Sequence, residues 1–373
     1  MAPTSKRGFT HLIDEARVIV CCGSGGVGKT TTAAAIAVEA SRRGRRVVLV
    51  TIDPAKRLAD ALGLDRLGNT PSEVTLPDGG HIWAMMLDAR ATFDDVIRNN
   101  ARSDEQVTRI LTNPFYANVA SRLSGSQEYM AAEKLYELHS DERFDVVVVD
   151  TPPTREALDF LDAPQRLMNF LDHRVYRWMV APARGGLRLL NFAAQPVLRT
   201  IGRVIGADVL ADAIDFFQAF DGIEAGFRDR AEKVRALLRS TATRYVVVTS
   251  ARSDSVAEAG YFVDTLAASK LAIAGLVVNR LQPRFGSGTA TAAQNEAEAA
   301  VYASRADDAV LWANLAHLRR IAEAETATLK PLLAKVSPAP VARVFQRSSD
   351  VHDLAAVNLI GADLIASASG PAR

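Results

Sequence analysis

An α/β fold, with a mostly parallel sheet, helices on both of its faces and an inserted helical subdomain, is predicted by three observations. Short apolar, β-branched runs recur at Val18–Cys22, Arg46–Ile52, Phe144–Asp150, Tyr245–Ser250 and Ile273–Asn279. Strands buried on both faces read this way, whereas half-solvated strands alternate. The first run leads through a glycine-rich turn into a helical segment, Lys29–Arg43, and then into the second run. That order opens a strand–helix–strand unit. The remaining observation is that the stretches from about Asp88 to His139 and from about Leu158 to Arg239 have helical character.

Taken in order, the elements give a division of the chain. Residues 1-16 are expected to be a flexible N-terminus. Residues 17-87, 140-157 and 240-373 are expected to form a discontinuous sheet domain, with 88-139 and 158-239 as the helical subdomain. The helix from Lys29 ends near Gly44, and Pro338 and Pro340 mark a loop before a last helix around Asp350–Ile365.

The composition is that of a globular protein: 373 residues, 48% hydrophobic and 23% charged. Lysine plus arginine number 44 against 43 acids, a net charge of +1. That balance gives no global attraction to nucleic acid, and no nucleic-acid partner is expected. The two cysteines, Cys21 and Cys22, are neighbours in a predicted strand and point to opposite faces, so they cannot staple distant segments. No apolar run reads as a signal sequence or spanning helix, and the expectation is a cytoplasmic protein.

The chemistry is concentrated in Gly23-Ser24-Gly25-Gly26-Val27-Gly28-Lys29-Thr30, which follows a strand and opens a helix. This is the G-x-x-x-x-G-K-S/T phosphate loop in the context it requires. Glycines let the backbone curl so that its N–H groups point inward to a phosphate. Lys29 is expected to reach the β and γ phosphates, and Thr30 to ligate Mg²⁺, with Thr31 completing the nucleotide-binding set. Asp150 closes the run Val146-Val147-Val148-Val149 and is the candidate second Mg²⁺ ligand. Asp53, which ends another strand in Thr51-Ile52-Asp53-Pro54-Ala55, is the candidate for orienting an attacking water. Taken alone, Asp53 reads equally well as a strand-end turn residue.

This glycine loop, Thr51–Ala61 and Asp150–Pro164 together resemble the arsenical-pump and tail-anchored-protein-targeting ATPases. The relatives of that family are the partitioning and septum-site ATPases. The landmarks run in the family's order over nearly the full chain. The resemblance implies ATP and Mg²⁺ as cofactors, a role for Asp53 in the first switch, and a second switch over Asp150–Thr154. It implies a dimer that opens and closes. Ser124-Gly125-Ser126-Gln127-Glu128 resembles the family segment before the Asp150 strand. Asn279, in Val277-Val278-Asn279-Arg280, stands where the family recognises adenine, and Asp350-Val351-His352-Asp353-Leu354 resembles its C-terminal segment.

Four departures from the family pattern carry information. Ser24 occupies the place of a signature lysine that reaches across the dimer to the partner's phosphates. A serine is too short and uncharged for that reach, which implies either a homodimer without bridging or a heterodimer with a lysine-bearing homologue. The metal-binding cysteine pair of the targeting factors has no counterpart. Nor do the arsenite-binding cysteines, which argues against an arsenite-pump subunit. Arg155 and Glu156 follow where the second switch usually has glycine.

From His173 to Ala207 there is no acid, while Arg174, Arg177, Arg184, Arg188, Arg199 and Arg203 are interleaved with apolar residues. Two readings stand. One is a surface for a hydrophobic client helix, an anionic membrane face or a subunit; the other is a subdomain helix with solvated or paired arginines. His139, His173 and His352 are too scattered for a metal site. The expected function is hydrolysis of Mg·ATP to ADP and phosphate by Lys29 and Asp53. A dimer switch would couple that hydrolysis to a hydrophobic or membrane-associated client. The alternative is a nucleotide-dependent regulatory switch without chaperone activity, and a DNA-partitioning role ranks third.

Overall fold

A computed structural model of the chain describes residues 8–53, 57–117, 126–152, 159–172, 206–285, 290–301, 306–348, 350–351 and 353–366. The arginine-rich stretch from Arg174 to Arg203, the switch residues Thr154, Arg155 and Glu156, Ser124 and Gly125, and His173 and His352 lie outside the described residues. So do Pro54 and Ala55.

Eight strands form one sheet: β1 (Val18–Cys22), β2 (Val47–Thr51), β3 (Ser72–Thr75), β4 (His81–Met86), β5 (Val146–Asp150), β6 (Thr243–Ser250), β7 (Ile273–Leu281) and β8 (Val341–Phe345). Their spatial order is β3-β4-β2-β5-β1-β6-β7-β8. Every neighbouring pair is parallel except β3 with β4. The fold is therefore the mostly parallel P-loop α/β architecture. All five residues of β1, β2 and β5 are buried, the two-sided burial that their unbroken apolar runs demand.

Strands β3, β4 and β8 were not legible as runs. In β8 burial alternates, and Arg343 interrupts the apolar sequence of this edge strand. β4 reads His-Ile-Trp-Ala-Met-Met, which includes residues that favour helix as much as strand.

The N-terminus departs from the expectation of a flexible 1-16. Residues Phe9–Glu15 form a helix, α1, that buries Phe9, Leu12 and Ile13. The spacing i, i+3, i+4 puts these three on one face. Phe9 is fully enclosed, and its ring lies over Gly275 of β7, where an added Cβ would come within 2.7 Å of it. The helix after the phosphate loop, α2 (Lys29–Arg42), is rich in alanine, and its Ala33–Val38 run is buried in the core on one face of the sheet. The final helix, Leu354–Ala366, contributes Val357, Ile360 and Leu364 to the same core.

The chain divides into two compact units, one of Met1–Met86, Glu142–Leu158 and Thr241–Arg373, the other of Leu87–Asp141 and Asp159–Ser240. The first holds the sheet. The second is helical among its described residues and closes around an aromatic cluster. Phe216 and Phe220 have ring centroids 5.2 Å apart, Phe220 and Phe227 likewise, and Phe93 meets Phe227 edge-on at 6.1 Å. Aromatic pairs at such spacings add to the stabilisation from burial. Helices of this unit are capped locally: Asp88 accepts from the amide of Ala91 at 3.0 Å, and Ser103 from that of Gln106 at 3.2 Å.

Candidate functional site

The site forms where the chain crosses the sheet in opposite directions, the usual position for a ligand in an open parallel sheet. β1 lies between β5 and β6, and the register aligns Cys21 with Asp150 and Thr51 with Asp150. The carboxylate therefore stands at the strand ends beside the loop that leaves β1.

That loop depends on glycine at two points. Gly23 has φ +153°, and a Cβ there would lie 2.1 Å from the carbonyl oxygen of Val248 in β6. Gly28 has φ +90°, and the space its side chain would need is taken by the amide of Asn279. No side chain caps α2, and its first turn carries no acid, so its N-terminal amides face the loop without a competing carboxylate.

Lys29 is only 6% exposed, and its ammonium donates to the carbonyl of Ser24 at 2.8 Å. The lysine thus clasps its own loop. The Thr30 hydroxyl donates to Oδ2 of Asp150 at 2.8 Å, and the Thr51 hydroxyl donates to the same oxygen at 3.1 Å. Asp150 is buried, and its other oxygen, Oδ1, has no hydrogen-bond partner among the described residues. Burial pushes the Asp150 carboxyl up to about 6, against the two hydroxyl donors and Lys29, which pull it down.

A buried carboxylate oxygen without a partner is costly unless something binds it. A hydroxyl and a carboxylate are hard oxygen donors of the kind Mg²⁺ takes, alongside phosphate oxygens and water. The residues present therefore fit a Mg²⁺ ion.

A cavity of about 300 Å³ opens here. Gly26, Gly28, Lys29, Thr30, Thr31 and Asp53 border it, so six of the candidate residues meet around one space. Ser24 and Gly25 do not border it, and the Ser24 hydroxyl has no partner among the described residues. Gly23 and Val27 are buried behind the loop. Asn279 is also behind it: its Nδ2 donates to the Val27 carbonyl at 2.9 Å, and its Oδ1 accepts from the Arg280 amide at 2.9 Å. One end of that side chain thus braces the loop while the other holds the backbone of Arg280.

Asp60, Ala61, Arg280 and Val351 border the cavity as well without having been given a role from the sequence, and so does Thr151, which the resemblance placed in the second switch. Each lies inside or next to a segment that carries the family resemblance. Their side chains could not be assigned to the cavity without the register of the strands and the placement of α3 (Arg57–Leu62). Thr151 ties the strand ends together, its hydroxyl donating to the Cys21 carbonyl at 2.8 Å.

The two thiols are part of the wall, not of the chemistry. Cys21 and Cys22 are fully buried. Burial raises the Cys21 thiol well above its ordinary value and pushes Cys22 up to about 12. Among the described residues no cluster of His, Cys, Asp and Glu side chains forms a metal site of three or more such ligands. No described helix is long and apolar enough to cross a membrane.

Comparison with known proteins gives a family model, described as an anion-transporting ATPase, that matches residues 16–303. ATPase get3 of Schizosaccharomyces pombe is 27% identical over 260 residues, which is 69% of this chain and 71% of that protein. ATPase GET3 of Rhodotorula glutinis is 25% identical over 269 residues, 72% of this chain and 71% of its own length. ATPase get3 of Aspergillus terreus is 31% identical over 150 residues, 40% of this chain and under half, 43%, of that protein.

Proposed function

The chain belongs to the anion-transporting ATPase family, a family of ATP hydrolases, and from that premise we propose that it hydrolyses Mg·ATP at the Gly23–Thr30 loop. The observation that carries this reading is the meeting of the Thr30 hydroxyl with Asp150 at 2.8 Å, with Lys29 buried and the other carboxylate oxygen without a partner among the described residues.

The division of labour follows from the atoms. Backbone amides of the loop and of the first turn of α2 hold the β and γ phosphates. Lys29 supplies a positive charge where negative charge accumulates as the terminal phosphoryl group moves. Thr30 and Asp150 would hold the metal, with Thr51 fixing the carboxylate's orientation through its own hydrogen bond. A Mg²⁺ ion held there would supply positive charge to offset that of the phosphates. Asp53 orients the attacking water, whose oxygen forms the new bond to phosphorus as the bond to the ADP oxygen breaks.

Resemblance to the tail-anchored-protein-targeting ATPases supports coupling of this cycle, in a dimer, to a hydrophobic or membrane-associated client. The helical unit would be the responding part. Suppression of aggregation of a client with a hydrophobic tail, dependent on nucleotide, tests that coupling. Nucleotide-dependent partner binding without such suppression would establish the regulatory switch instead.

Ser24 makes a sharper test of assembly. Steady-state ATP hydrolysis would be measured across protein concentration for the wild type and Ser24→Lys, with Lys29→Ala as the blank. Slow wild-type turnover, with a faster and concentration-dependent Ser24→Lys, would establish that a bridging lysine is what this chain lacks and make a complementing lysine-bearing subunit the next search. Brisk wild-type turnover unchanged by Ser24→Lys would make the chain self-sufficient. Turnover no greater than that of Lys29→Ala in both the wild type and Ser24→Lys would overturn the ATPase reading.

A further inference from the structure

We propose that Arg280 is a phosphate-binding residue of this nucleotide site, a guanidinium aimed at the cavity by a bulge built into β7. The proposal deepens the ATPase reading and rests on it.

The first observation is conformational. Arg280 has φ +59°, inside a strand whose other residues are extended. Non-glycine residues seldom adopt this left-handed region, and when they do the surrounding structure must impose it. The described residues include one other case, Lys270 at φ +60°. That one lies just past the C-terminus of the helix Ser253–Ala268, where its amide and that of Leu271 close back on Ala267 and Leu266. A left-handed residue there is an ordinary helix ending. Arg280 has no such excuse.

What imposes the conformation is visible. The pairing of β7 with β8 shifts register between Val278 and Leu281, so a bulge falls on Asn279 and Arg280. The Asn279 side chain holds it in place, accepting the Arg280 amide at 2.9 Å while donating to Val27 of the phosphate loop. Bulges next to sites re-aim a side chain that regular pleating would send elsewhere. Here the bulge is latched directly to the loop.

The second observation is where the side chain ends up. Arg280 borders the same cavity as Lys29, Thr30 and Thr31. Its guanidinium makes no hydrogen bond or ion pair among the described residues, although Asp53 and Asp60 border the cavity too. A planar guanidinium left open on the rim of a phosphate loop matches the geometry of phosphate oxygens, which it can bind in bidentate fashion. Its backbone is fixed next to Asn279, whose side chain fills the space beside Gly28 of the loop.

Binding of ADP, pyrophosphate and adenosine to the purified chain would be measured by calorimetry or competition, for wild type, Arg280→Lys, Arg280→Gln and Arg280→Gly. Arg280→Gly removes the charge and relaxes the backbone, so the nucleotide-free variant should melt no lower than wild type. It should nevertheless bind ADP about ten- to a hundred-fold more weakly, the range for losing hydrogen bonds to a charged group. Arg280→Gln should weaken ADP similarly, Arg280→Lys less, and adenosine should be unaffected.

Unchanged ADP affinity in Arg280→Gly and Arg280→Gln would overturn the proposal while leaving the ATPase reading intact. An equal loss for adenosine and ADP would overturn it in favour of base stacking. Failure of the wild type to bind ADP at all would remove the ATPase reading and this proposal with it.

Discussion

The side-chain amide of Asn279 donates to the carbonyl of Val27 at 2.9 Å, joining positions 252 residues apart. This bond fixes the back of the phosphate loop to the end of β7. Asn279→Ala leaves the Val27 carbonyl without its donor in a buried setting, a loss of about 1–3 kcal/mol. The resemblance to the ATPase family assigns adenine recognition to this position, and the two roles separate experimentally. A loop brace predicts that Asn279→Ala weakens pyrophosphate as well as ADP. Normal pyrophosphate affinity with weakened ADP would assign the residue to the base instead.

Asp150 couples chemistry to stability. Its ordinary value is 3.8 and its value in the fold about 6. A raised carboxyl is one whose ionised form the fold disfavours, so its contribution to stability falls as pH rises from 3.8 to about 6 and stays lower above. Asp150→Asn keeps an acceptor for Thr30 and Thr51 and removes the charge. In the absence of nucleotide the variant should melt at or above the wild-type temperature at pH 7, the gain being on the order of 1–3 kcal/mol. Its Mg²⁺-dependent turnover should drop by about 10²–10³-fold. Thermal melts over pH 4–8, beside turnover assays, check both halves, and a clear destabilisation at pH 7 would contradict the assignment.

Phe9 anchors α1 against the sheet. It is fully buried over Gly275, so Phe9→Ala should cost about 3–5 kcal/mol. Gly275→Ala, which would press a methyl group into that ring, should also destabilise. Denaturant unfolding of both variants checks this. A flexible N-terminus would leave both the Phe9→Ala midpoint and the wild-type midpoint the same.

How much of this was legible depended on range. The central strands were visible because β1, β2 and β5 are buried on both faces and so are written mainly in valine, with isoleucine, leucine and cysteine beside it. The phosphate loop was visible because its chemistry is contiguous in sequence. The Asp150 carboxylate could be named from its position at a strand end. Its pairing with Thr30 and Thr51, and the oxygen left over, come from the register between strands, which no single run encodes. The helix at Phe9 was missed because its apolar face is a single short turn whose partner, Gly275, lies far along the chain. Arg280 was passed over because a bulge has no local signature: Val277-Val278-Asn279-Arg280 reads as ordinary strand, and the shift exists only relative to β8.

The burial of both cysteines in β1 has a practical corollary for following the protein's motions. With no other thiol in the chain, and both of these enclosed and held protonated, the folded protein offers maleimide reagents almost no target. A cysteine introduced singly into each unit, at exposed Val209 and at exposed Tyr261 for instance, would take up fluorophores or spin labels without first stripping native residues. The central strand thus leaves a spectroscopically silent background against which nucleotide-driven distance changes can be read.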